Sequence, residues 1–326
     1  MIDLSLLPPP EVLETLEFET LYQQVLGTFR LQMGDQWTAV LESDPVVKLL
    51  EVAAYQQLLG RARVNDAARA SLLAYAKGTD LDNRVADYGV QRLVIAAADP
   101  DAVPPLAAVM ESDTALRYRT RLSLEALSVA GSRGAYEYHG LSASANVASV
   151  SVDSPTFKGV PVSAALQAQL PAGAIVVVCD YDAGLSNPLP GDVSLAVLPR
   201  IDSPVDGAQL VTAVQTALSA EDVRPLTDRP RTRLGLPNGF SVVATLELEA
   251  GPDPVVVKAA ALAELDLAIA EARRLEGLLP LSAIYAALHV SGVRRVRIMQ
   301  PVADVLSDKR HYPSCNGITL TTEVLA

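Results

Sequence analysis

The chain has 326 residues, half of them apolar and only 5% aromatic, and its 38 acidic and 26 basic side chains leave a net charge of −12. That length favours two or three folding units, and the acidic balance excludes a binder of nucleic-acid phosphates, whose affinity comes from clustered Lys and Arg. No run of about eighteen apolar residues occurs, so no membrane-spanning helix is expected.

The opening MIDLSLLPPPEV has neither the basic start, the apolar stretch nor the small-residue cleavage site of a signal peptide. Cys179 and Cys315 are lone thiols without CxxC spacing, which fits a reducing compartment and a soluble cytosolic product. Residues 1–29 carry five acids and no base, suited to the positive start of a helix. Asp44-Pro45 reads as an N-cap with proline at the first helical position, opening a helix expected to run to Lys77 with Gly78 as its terminator. Fully helical, that segment is roughly 48 Å long. Val46, Leu49, Leu50 and Ala53, continued by Tyr55, Leu58, Leu59 and Ala62, make its apolar face too broad for one neighbouring helix, so helices of other chains are expected to complete a bundle.

A short helix over 81–88 ends at Gly89, and the Pro/Ala stretch 96–110 reads as a linker. Beyond it, helices near 113–129, 133–144, 206–219, 254–274 and 281–290 alternate with strands 147–152, 174–179, 193–199, 240–249, 293–299 and 317–324. The fold class is α+β: an elongated multidomain chain with a helical arm (1–95), the linker, and two small mixed α/β domains (111–205, with an insertion at 156–192, and 206–326). The helix–strand spacing and the offset of Gly131 onto Gly277 admit an internal duplication.

Chemistry is sparse. Asp113, Arg117, Arg121 and Glu125 follow i,i+4 steps and form either a charge ladder, solvated or interfacial, or an acid/base site with His139 nearby. His139 beside Tyr136 and Tyr138, and His289 after Tyr285, read as packed histidines, and His311 lacks partners for a metal. DYDAGLSN (180–187) starts like a calcium loop but lacks the glycine at position six and the acid at twelve, so a turn is expected. No Walker A, GxGxxG, GxSxG or HExxH occurs, and no catalytic residue, metal ligand or cofactor is assigned. Arg295 and Arg297 alternate with inward-facing Val296 and Ile298; they either protect a sheet edge or meet an acidic partner surface.

Five blocks in one order carry a resemblance: IDLSLLPPPEVLETLEFE, ESDPVVKLLEVAAYQQLLGRARVNDAARASLLAYAKGTDLDNRVADYGVQRL, ESDTALRYRTRLSLEALSVAGSRGAYEYHG, AEDVRPLTDRP and PLSAIYAALHVSGVRRVRIMQP. With them the chain resembles the baseplate J-like family of contractile-tailed phages and R-type tailocins over nearly its whole length. The resemblance implies a structural wedge subunit without enzyme activity, assembled in the host cytoplasm into a virion tail or tailocin baseplate. Its implied partners are a second copy of itself, a second wedge protein, a sheath-initiator-like protein, and the central hub and spike. The N-terminal helices are implied in a core bundle, and the C-terminal α+β domains in a ring around the hub. Residues 156–192 depart from many relatives and read as an added hairpin, whose apolar AIVVVC needs burial. The alternative is an enzyme of unknown type using the Asp113–His139 region.

Overall fold

The computed structural model describes residues 6–37, 41–128, 131–251 and 253–324. It divides into two units: Met1–Arg92 with Ser112–Arg121, and Leu93–Glu111 with Leu122–Ala326.

In the first unit, α1 (Phe18–Met33) packs on α2 (Pro45–Ala70), burying Leu21 and Leu26 of one and Val47, Leu50 and Ala54 of the other. The Asp44 carboxylate caps α2 by accepting from the Val46 amide at 2.8 Å, with Pro45 next in line. The helix stops at Ala70, short of the expected Lys77. Residues 71–76 close into turns on the Leu72 carbonyl instead, and Gly78, at φ +51°, begins α3 (Gly78–Ala86) rather than ending α2.

In the second unit, β1 (Val94–Ala96) pairs with β2 (Val109–Met110), and Asp99 bridges Leu106 between them. The stretch expected as an aperiodic linker is therefore a hairpin. α4 (Asp113–Ser123) ends before the expected 129, followed by a 3₁₀ turn, Glu125–Leu127; Val129 and Ala130, read from sequence as the end of that helix, lie outside the described residues. Next come α5 (Arg133–Ser142), β3 (Val147–Asp153), β4 (Thr156–Gly159), α6 (Ala164–Gln167), β5 (Val177–Tyr181), β6 (Asp192–Pro199), α7 (Gly207–Leu218) and β7 (Arg229–Leu234). β6 is the centre of a three-stranded sheet, antiparallel to β3 and parallel to β7. Val150, Val152, Leu195 and Val197 pack under Tyr136 of α5 and Leu210, Val214 and Leu218 of α7. The expected boundary at 205 falls inside this layer, since α7 and β7 complete it.

β8 (Leu236–Leu248) follows at once, then α8 (Pro254–Ala272), β9 (Leu278–Leu279), α9 (Leu281–Leu288), β10 (Val293–Gln300), β11 (Val305–Leu306) and β12 (His311–Val324). Asp253-Pro254 caps α8 as Asp44-Pro45 caps α2. β8 is central, antiparallel to β10 and parallel to β12, and its Val242, Ala244, Leu246 and Leu248 bury against α8 and α9. The two layers are thus both α+β with one antiparallel and one parallel edge. Their chain order differs, because the central strand follows its antiparallel partner in the first and precedes it in the second. The two glycines of the supposed repeat also serve different needs. Gly131 holds φ +68°, whereas a Cβ on Gly277 would run into the Ala272 carbonyl oxygen.

Candidate functional site

The face of α2 that the chain covers and the face it leaves open are distinct. At 100° per residue, Val47, Leu50, Ala54, Arg61 and Asn65 lie on one side. Leu49, Val52, Tyr55 and Leu59 lie on another, and all four are exposed, Leu49 by 67%. The stripe read from sequence therefore mixed two faces. Leu50 is buried against α1, so it is core and not a partner contact. Val46 and Ala53 are half-buried between the faces, Leu58 is half-buried on the covered side with Val47 and Asn65, and Leu49 and Leu59 belong to the open one. Val52 and Tyr55 complete the open face. Solvent exposure separates the two sets, and periodicity alone did not.

The expected charge ladder is broken into contacts within the first unit. Asp113 accepts from Arg92 at 2.7 Å and from the Gly78 amide at 3.0 Å. Burial works to raise its pKa less than the Gly78 amide lowers it, and with Arg92 the carboxyl is held below the usual carboxylate range. Arg117 donates to the Leu73 and Ala76 carbonyls at 2.7 Å each, capping the turn that ends the α2 segment. The buried Arg119 reaches the Gln91 carbonyl. Arg92 also grips Asp82 at 2.6 Å. Arg121 is half-buried on the last turn of α4, while Glu125 lies beyond the helix, so the i,i+4 stack stops short. Arg117 is thereby framework rather than an open contact. Arg92 and Arg119 went unnoticed in the sequence because an isolated arginine carries no signal of burial.

His139 lies in the second unit beside a cleft of about 490 Å³, lined among others by Tyr136, Asp222, Arg224 and Leu226. Burial pushes the imidazole below its ordinary value, with Asp222 acting oppositely. The Tyr136 hydroxyl donates to Asp228 at 2.7 Å, and burial together with that carboxylate raises the phenol's pKa. This is a packed, hydrogen-bonded arrangement.

The segment resembling a calcium loop is closed by arginine. Alternate residues of β7 share one face. Arg229 bonds Asp192 at 2.5 Å, Arg231 bonds the Ser186 carbonyl at 3.1 Å and Asp192 at 3.2 Å, and Arg233 takes the Ala183 and Gly184 carbonyls and Ser194. Guanidinium groups thus hold the Ala183, Gly184 and Ser186 carbonyls of the segment, Lys158 and Thr156 hold its Asp180, and no metal-ligating cluster occurs among the described residues. Asp192 is fully buried. Burial works to raise its pKa, and the Leu189 amide, Arg229 and Arg231 outweigh that and hold it low. β7 escaped the sequence reading because RPRTRL has no apolar alternation.

On β10, Arg295 stands opposite Glu247 and Arg297 opposite Thr245 across the sheet, on the face away from the buried Val296. Arg297 pairs with the buried Glu247 and so is partly spent inside the chain, whereas Arg295 is exposed. The hairpin of β4 and β5 is pinned by Lys158 and Thr156 on Asp180 and by Tyr181 on Asp153. Of the apolar AIVVVC, this chain leaves Ile175, Val177 and Val178 exposed, so its own sheets do not supply the burial that stretch needs.

Baseplate protein J of Escherichia phage P2 is 40% identical to this chain over 328 residues, spanning 99% of this chain and 98% of the relative. The chain belongs to the baseplate J-like family. The model of the baseplate J-like N-terminal domain matches residues 42–99, which contain α2 and α3. A cryo-EM structure of the anti-feeding prophage baseplate is similar at 16% identity and a TM-score of 0.25, covering 92% of this chain; the chain spans about half (53%) of that one. For a baseplate J-like chain, the most conspicuous feature is the open face of α2 inside the matched domain. Among the described residues no helix is long and apolar enough to cross a membrane.

Proposed function

We propose that this chain is a structural subunit of a contractile-tail baseplate wedge, needed for baseplate assembly and catalysing no reaction. The observation that carries this reading is the apolar face Leu49, Val52, Tyr55 and Leu59, open in a chain 40% identical to a baseplate protein J. Contiguous exposed apolar surface of this kind marks a site that another protein covers. The occupants are helices of a second copy and of a second wedge protein, forming a bundle. The α+β layers of the second unit contact their counterparts, the sheath-initiator-like protein, and the hub and spike, in a ring. Arg295, exposed on β10, offers charge for such contacts. On contraction the ring contacts rearrange between two packed states while the bundle holds. The enzyme alternative draws nothing from the Asp113–His139 region, where Asp113 is engaged by Arg92 and Tyr136 by Asp228.

The test is to express the tagged chain with its neighbouring tail genes and purify contractile particles. The tag co-purifies with sheath and tube, and His139→Ala particles retain normal composition. A tag recovered only as free protein rejects the reading. A bundle that dissolves between extended and contracted particles rejects the switching scheme.

A further inference from the structure

The second unit holds an open cavity of about 580 Å³ between the β1–β2 hairpin, the loop 200–204 and the end of α8. Ile95, Val109, Ile201, Pro204 and Ala270 make its walls apolar. Ile201 is 68% exposed and Val109 52%, so the apolar lining runs out onto the surface. Three charged residues share the lining: Arg200, Arg273 and Asp202. Arg200 Nε donates to the Ala145 carbonyl at 2.6 Å. Arg273 donates to the Pro199 carbonyl at 3.1 Å and lies 5.2 Å from the centre of the Tyr312 ring. Each half-buried guanidinium is thus fixed by a bond to backbone and keeps further N–H groups unused. Among the described residues neither is paired with a carboxylate.

We propose that this cavity is the docking site for a polypeptide segment of another baseplate subunit, one that places an apolar side chain against Val109 and Ile201 and a neighbouring Asp or Glu toward Arg200 and Arg273. Charge selects that occupant. Two cations face one carboxylate, Asp202, so the lining carries an excess positive charge in a chain of net charge −12. A half-buried cation without a counter-ion has lost hydration that an incoming carboxylate restores, and a guanidinium held in one orientation suits a carboxylate best. Apolar walls around a few fixed polar groups, at this volume, are the usual make-up of a binding cavity. The backbone selects a polypeptide. Among the described residues β1 and β2 pair only with each other, which leaves the outer edges of both strands open to the peptide groups of an added strand. The source of the segment rests on the assembly reading given above; its chemistry rests on the cavity.

The experiment uses the full chain with Ile201→Glu and Ile201→Lys. Both remove the same apolar contact at an exposed position and differ only in the sign of charge. The probe is the acetylated and amidated peptide Val-Leu-Glu-Leu, with Val-Leu-Gln-Leu as control, titrated to millimolar concentration against the methyl NMR signals of the chain. The glutamate peptide should shift the Ile95 and Val109 methyls and bind roughly tenfold tighter than the glutamine peptide. Ile201→Glu should abolish that preference and Ile201→Lys should keep it. Equal affinity for the two peptides, shifts at other methyls only, or identical behaviour of the two variants overturns the proposal. In tail particles, Ile201→benzoylphenylalanine should photo-crosslink to another polypeptide at an Asp or Glu beside an apolar residue. Particles that contain this variant and give no such link also overturn it. Chains that never enter particles fail the assembly reading instead, and the peptide titration then decides the cavity.

Discussion

Replacing Leu49 and Leu59 together by alanine separates folding from assembly. Leu49 is 67% exposed and Leu59 40%, and fully burying a leucine side chain contributes roughly 1.5–3 kcal/mol. Covering the exposed fractions in a bundle is then worth about 1–2 kcal/mol for Leu49 and about 1 kcal/mol for Leu59. The double variant should bind its helical partners roughly 30- to 150-fold more weakly. In the free chain the same two side chains lose little, so urea unfolding should stay within about 0.5 kcal/mol of wild type. Leu50→Ala, one residue from Leu49 but buried, is the internal contrast and should cost about 2–5 kcal/mol of stability. The assay pairs urea denaturation of the purified chain with its incorporation into tail particles. If the double variant assembles like wild type, or unfolds as readily as Leu50→Ala, the division of α2 into a self-covered and an open face is wrong.

Three further outcomes follow from the second unit. Asp192→Ala leaves Arg229 and Arg231 facing each other over loop 186–192 and should cost about 2–4 kcal/mol in chemical denaturation, less than a wholly buried pair because both arginines remain partly solvated. Gly131→Ala forces a Cβ to within 2.8 Å of an Asp228 carboxylate oxygen and 2.9 Å of Pro225 at φ +68°, so a loss of about 1–3 kcal/mol is expected by the same measurement. His139, depressed by burial in the folded chain, binds fewer protons than in the unfolded chain just below pH ~6.5. Stability should therefore fall as pH drops through that value and until the folded pKa is passed, and thermal melts of His139→Gln between pH 7 and 5 should show a shallower decline than wild type.

Local chemistry made much of the fold legible. Asp44-Pro45 starts α2, Ser132 caps α5, and the apolar strands 147–152, 193–199 and 293–299 stand where alternation and β-branching put them. Each of these is decided by neighbours in sequence, through a capping bond or a one-sided pattern. The misreadings have a common physical cause. α2 was extended to Lys77 because helical periodicity continues there, while the turn that replaces it leaves the Leu73 and Ala76 carbonyls to Arg117, more than forty residues away. β7 was missed because its side chains are set by the loop they clamp. The family resemblance rested on ordered blocks and therefore did not need those details.

The sequence by itself determined that this chain is α+β, acidic, built of capped helices and short strands, and a likeness of baseplate J-like proteins, because composition, caps and periodicity are written residue by residue. Tertiary structure alone decided which half of the α2 stripe is core and which is open, that Asp113 and Arg117 of the charge ladder are framework, and that arginines hold the carbonyls of residues 183, 184 and 186. Those outcomes depend on which segments meet across tens of residues, and the bonds of Asn65, Arg117 and Arg231 exist only once the chain has closed on itself.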